Sequence, residues 1–115
     1  MRIKAEIWAK AYIRHCSSNG SPAVMVRRGQ SDGGAIFIKI NSLDGYATLY
    51  GPAPAGMDAS TNDRLWTLCL GEDALSERDA DIYLQRQAEF DPDIWIIEVE
   101  DRVGRHYLGD ALSED

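Results

Sequence analysis

Two alternating runs joined by Asp44-Gly45 constrain this chain more than any other feature. In Ala35–Asn41, Ile36, Ile38 and Ile40 fall on one side, and Phe37, Lys39 and Asn41 on the other. In Tyr46–Tyr50, Ala47 and Leu49 oppose Tyr46, Thr48 and Tyr50. Alternation with period two is the signature of a β-strand, and Asp-Gly between two such runs is a strong hairpin signal. An antiparallel pair therefore stands at the centre of the fold, and a pair alone is too little to be stable.

The flanking segments supply the rest. Ile3, Ile7 and Ala11, widened by Trp8, Tyr12 and His15, form a helical stripe that predicts a helix over 3–18. Asn19-Gly20 and Pro22 stop it. Ala23–Arg28 reads as a strand, with Val24 and Val26 opposite Met25 and Arg27. Gly29–Gly34 reads as the loop of a hairpin to Ala35–Asn41. A Pro- and Gly-containing loop is expected over 51–64, followed by a strand Leu65–Leu70. Ser76-Glu77-Arg78-Asp79 resembles a capping box, and Leu75 can staple the helix entry against Ala80. The expected apolar stripe of that second helix is Ala80, Tyr83, Leu84, Ala88 and Phe90, ended by Asp91-Pro92-Asp93. Ile94–Glu100 is apolar on both faces at its start, as an interior strand would be. A short return strand over Arg105–Leu108 and a frayed tail over Gly109–Asp115 complete the prediction. The fold class is α+β: five or six mostly antiparallel strands and two flanking helices, in the order α-β-β-β-β-α-β-β. At 115 residues this is one domain.

Composition narrows the environment. An apolar share of 44% and a charged share of 27% describe a chain able to bury a core. Apolar runs of three or four residues exclude a transmembrane helix, and no signal-peptide pattern opens the chain, so a cytoplasmic address is expected. Cys16 and Cys69 form neither a Cys-x-x-Cys pair nor a zinc pattern, and they read as reduced, buried thiols. No metal or other cofactor is expected.

The net charge of −7 is unevenly spread. Residues 1–40 carry +5 and residues 41–115 carry −12. The two parts can attract each other within one fold or between subunits. The best basic-aromatic patch is Arg27, Arg28, Phe37 and Lys39; where these strands pair, Arg27, Phe37 and Lys39 share a face with Tyr46, Thr48 and Tyr50. Such a patch suits single-stranded nucleic acid, although the overall acidity opposes a polyanion. A second polar cluster gathers Asp93, Glu98, Glu100, Arg102, Arg105 and His106, joined by Asp91 and Asp101. A nuclease-type metal strand would place Lys two residues after the acid, whereas Glu98 is followed by Glu100. Cross-strand ion pairs of Glu98 or Glu100 with Arg105 are the simpler expectation. His15 and Cys16 are adjacent on a helix and point about 100° apart, which rules out a facing Cys–His pair. The three glycines of Gly29–Gly34 lead into a strand, whereas a phosphate cradle needs a helix N-terminus.

The stretch Phe90-Asp91-Pro92-Asp93-Ile94-Trp95-Ile96-Ile97-Glu98-Val99-Glu100-Asp101-Arg102-Val103-Gly104-Arg105-His106 is similar to the C-terminal signature of a small uncharacterised family found in alphaproteobacteria and of about this length. Arg27-Arg28-Gly29, Gly33-Gly34-Ala35 and Leu43-Asp44-Gly45 sit where that family has similar elements. The resemblance covers the whole chain. It implies a bacterial cytoplasmic origin and one intact domain, and it carries over no activity, cofactor or catalytic residue. With no catalytic constellation identified, the sequence favours a non-enzymatic protein-interaction or regulatory module, partnered by another protein or by itself as a homodimer, without a membrane. Nucleic-acid binding through the basic patch is the alternative.

Overall fold

The computed structural model describes residues 3–54, 64–71 and 73–109. Its elements are α1 (Ala5–Ser18), β1 (Ala23–Arg27), β2 (Ile36–Asn41), β3 (Tyr46–Pro52), β4 (Trp66–Leu68), β5 (Leu75–Ser76), α2 (Glu77–Phe90) and β6 (Trp95–Glu100). The class is the expected one, two helices on a six-stranded, mostly antiparallel open sheet. Two details differ. The sixth strand is the two-residue β5 rather than Arg105–Leu108, which has no ladder partner among the described residues. The sheet order is β1-β6-β2-β3-β4, with β5 pairing β3.

That order corrects the expected hairpin between β1 and β2. The last strand inserts between them, antiparallel to β1 and parallel to β2. The insertion follows from composition: β6 holds Trp95, Ile96, Ile97 and Val99, all buried, and only a central position hides both faces of such a strand. Gly29–Gly34 is therefore a bridge over the start of β6. Gln30 N donates to Asp93 O at 2.9 Å, and Trp95 Nε1 donates to Gln30 O at 2.8 Å. The Asp44-Gly45 turn forms as expected, with Gly45 at a φ of 92° and Asp44 Oδ1 accepting from Tyr46 N.

A helix covers each face. Under α1 lie Ile36, Ile38, Ile40, Trp95, Ile97 and Val99, with Tyr50 and Trp66. Under α2 lie Phe37, Ala47, Leu49, Ile94 and Ile96, with Cys69 and Leu75. The buried face of α1 is Ala5, Ala9, Tyr12 and Cys16, while Ile3 and Ile7 are more than half exposed. The expected stripe was displaced because small residues let the helix axis approach the sheet, and the larger aliphatics then face outward. His15 accordingly lies on the exposed side, edge-on to Tyr107. The α2 stripe holds at Ala80, Tyr83, Leu84 and Ala88, but Phe90 is 88% exposed. Ser76 caps α2, its hydroxyl accepting from Asp79 N. Cys16 and Cys69 are free and buried. The expected 51–64 loop and the tail fall largely outside the described residues.

Candidate functional site

Lys39 is a buried polar group held on several sides. Strand β2 is central and covered on both faces, so its polar side chains must be buried or reach a rim. The Lys39 side chain is 3% exposed and points to the α2 face, where three carboxylates meet it: Asp81 at 2.8 Å, Glu77 at 2.9 Å and Glu98 at 3.4 Å. Asn41, two residues on and on the same face, donates to both Glu77 Oε2 and Glu98 Oε2 at 3.1 Å. Glu77 and Asp81 lie one turn apart in the first turns of α2, so the cluster pins the helix N-terminus to the sheet. Burial alone would push the Lys39 ammonium down. The hydrogen bonds to Asp81 and Glu77 outweigh it and hold the group above its ordinary value.

The second cluster centres on Asp101, at the end of β6. Ser21 donates to Asp101 Oδ1 at 3.0 Å and shares a 2.7 Å hydrogen bond with the Tyr107 hydroxyl. Arg105 closes the turn, with its backbone N at 2.6 Å from Oδ2 and Nη2 at 2.8 Å from Oδ1. Gly104 permits this turn at a φ of 86°. The following segment lies against α1, where the Tyr12 hydroxyl donates to His106 O at 2.7 Å. His106 packs edge-on to Tyr50 and accepts from Leu108 N through Nδ1, and burial lowers its pKa. Arg105 holds the Asp101 carboxyl down, against burial, to about 2, with help from Ser21.

A depressed carboxyl contributes stability above its unfolded value that is lost as pH falls through the folded one. A drop from 3.8 to about 2 corresponds to about 2 kcal/mol. Asp101→Asn should therefore lie about 2 kcal/mol below the parent chain at pH 5, with the gap closing as pH approaches 2. Urea unfolding of both chains across that range measures it.

The expected sites are redistributed. Phe37 is buried beneath Tyr83 and Lys39 beneath α2, on the face opposite Tyr50. Arg27 donates to Pro92 O at 3.0 Å, and Arg28 lies over the Trp95 ring beside Glu6. The four residues thus form no single exposed patch. Glu98 pairs with Lys39, and Arg105 with Asp101, rather than with each other. Asp93, Glu100 and Arg102 are exposed. Sequence reasoning missed Glu77, Asp81, Asn41, Ser21 and Tyr107 as partners. The available signal was Lys39 and Asn41 inside a strand otherwise built of Ile and Phe. Among the described residues no group of His, Cys, Asp and Glu is arranged to hold a metal ion, and no helix is long and apolar enough to cross a membrane.

The third feature is an edge. Among the described residues β1 pairs only with β6, and Val24 and Val26 on it are 58% and 55% exposed. α2 packs chiefly on β2, β3 and β5, and among the described residues no helix packs closely on the α2 face of β1, where Val24 stands exposed.

The model of a family described as a protein of unknown function, DUF1491, matches residues 3–109. This chain belongs to the DUF1491 family. A crystal structure of a DUF1491 family protein from Caulobacter crescentus is 33% identical, with a TM-score of 0.81 and coverage of 99% of this chain and 100% of that one. An NMR structure of a DUF1491 family protein from the same organism is 34% identical, with a TM-score of 0.80 and 99% coverage of each chain. The solution structure of an A. tumefaciens protein is 31% identical, with a TM-score of 0.74 over 87% of this chain and 86% of that one. No curated protein matches. In this DUF1491 chain the signature-like residues do structural work. Asp93 O receives the bridge, Trp95 holds it, Glu98 reaches Lys39, and Asp101, Gly104 and Arg105 build the turn that lays His106 against Tyr12.

Proposed function

We propose that this chain is a non-enzymatic protein-interaction or regulatory module that works in a bacterial cytoplasm and docks its partner on the open edge of β1. The observation that carries this reading is that edge, which combines a strand that has no second neighbour among the described residues with two exposed valines. Unpaired strand edges are ready templates for another chain, and peptide recognition by strand addition uses them in this way. The two buried polar clusters support the reading from the other side. Lys39 and Asp101 are engaged in joining elements, the first α2 to the sheet and the second the Arg105 turn to Ser21, just past the end of α1. The burial of Phe37 and Lys39 favours a protein partner over nucleic acid, because stacking on bases needs exposed aromatics beside exposed cations.

A photoreactive residue placed at Val26 of the full chain, activated in native cytosol, tests this. The expected result is a discrete protein adduct that Val24→Lys abolishes. Absence of any adduct, or transfer of the label to nucleic acid, would overturn it.

A further inference from the structure

We infer that the occupant of the β1 edge is a second copy of this chain, paired antiparallel to β1 about a two-fold axis near Val24 and Met25. The inference rests on the docking reading above and adds the identity of the partner. Its first ground is backbone direction. Pro22 O accepts from Glu100 N at 2.8 Å, so it points toward β6. Successive residues of a strand direct their backbone groups to alternate sides, so those of Ala23 and Met25 point out to the open edge. Val24, opposite Glu98 in the β1–β6 register, then presents its side chain on the α2 side of the sheet, where it is more than half exposed. An axis near Val24 and Met25 sets the valines of one copy beside those of the other, and a self-complementary patch of this kind is what a two-fold interface requires.

The second ground is charge. Arg27 sits at one end of the edge, across from Ile96, and Glu100 at the other, beside Pro22. Both lie on the α2 side of the sheet with Val24, because Glu98 and Glu100 share parity. Arg27 has no carboxylate partner among the described residues, and its Nε is buried without a hydrogen bond. Glu100 has no cationic partner among them either. Within one chain the two charges are separated by the length of β1. An antiparallel copy reverses that separation and brings each Arg27 past the Ala23 end of the other strand. Strands lie about 4.8 Å apart, so the Glu100 of one copy is two spacings, about 10 Å, from the other copy's β1, within the combined reach of an arginine and a glutamate. A parallel copy would instead put like charges side by side. A five-residue edge buries a small area, so the dimer belongs to the weak, concentration-dependent class.

Sedimentation velocity of the full chain from about 10 μM to about 1 mM reads the association directly. The expected result is a shift from monomer to dimer across that range. Val24→Lys places cations at the axis and should leave only monomer, with the parent far-UV spectrum because Val24 is largely exposed. Glu100→Arg should weaken the dimer about tenfold or more, and adding Arg27→Glu should restore it by exchanging the two signs. A chain that stays monomeric throughout, or a dimer indifferent to Val24→Lys, would overturn the inference. If the chain stays monomeric while the Val26 probe still labels a different protein, the second copy is excluded and the docking reading survives. If neither occurs, both fall.

Discussion

Lys39→Ala is expected to lower the unfolding free energy by about 3–5 kcal/mol, the range for removing one partner of a buried ion pair. The Lys39 side chain is 3% exposed, and its ammonium is approached by Asp81, Glu77 and Glu98. Without it, three carboxylates and the Asn41 amide remain together with no cation. Glu77 and Asp81 are 41% and 59% exposed and can turn to water, whereas Glu98, at 23%, has less room to do so. The loss should therefore fall mainly on Glu98 and on the docking of α2. Lys39→Met keeps the aliphatic volume and should cost less than the alanine change. Combining it with Glu98→Leu should recover part of the loss, because a matched apolar pair escapes the desolvation penalty that an orphaned charge carries. Chemical denaturation of the parent, the single variants and the double variant gives the coupling. A double variant no more stable than Lys39→Met would show that Glu98 contributes nothing to the cluster. The pH dependence has the opposite sense to that of Asp101. A lysine held above its ordinary value contributes stability that is present at neutral pH and lost as pH rises through the folded value.

The β2–β3 hairpin was legible because two local signals agree there, period-two alternation and Asp-Gly at the turn. The doubly apolar β6 was legible as an interior strand for a similarly local reason. What lay beyond the sequence was the identity of the neighbours of β6. Hydrophobicity states that a strand is covered, and nothing in Ile94–Glu100 names β1 and β2 as its partners. Once β6 is placed between them, the uneven charge finds part of its explanation, since the acidic segment enters the sheet between the two basic strands and Glu98 meets Lys39. The face of α1 was misread because periodicity weighs Ile above Ala. Close packing on a sheet reverses that order, and Ala5 and Ala9 are fully buried. Of the candidate site, the residues were visible and the pairings were not. Arg105 matches Asp101 because a turn with Gly104 at positive φ folds it back, a geometry that pairing across strands would not predict.

Gly29→Ala and Gly34→Ala should each destabilise the chain by about 3 kcal/mol or more, at or beyond the upper end of ordinary overpacking. A Cβ on Gly29 would stand 2.2 Å from Asp93 O and 2.6 Å from Ile94 C, and one on Gly34 would also stand 2.2 Å from Asp93 O. The obstacle is backbone, so no rotamer relieves it. The bridge or the first residues of β6 would have to move. Movement there stretches the Gln30 N to Asp93 O and Trp95 Nε1 to Gln30 O hydrogen bonds, and Trp95 is 1% exposed in the α1-side core. Gly33 provides the control within the same loop. Its Cβ would meet nothing within 4 Å and its φ is not in the left-handed region, so Gly33→Ala should be neutral or stabilise by about 0.4–1 kcal/mol through the unfolded chain. Thermal unfolding of the three variants separates the two roles a glycine can have here. Equal midpoints for all three would mean that the loop does not press on β6. A large loss confined to Gly29→Ala and Gly34→Ala would show that these glycines serve close backbone approach, by which a connection from β1 to β2 can cross the strand lodged between them.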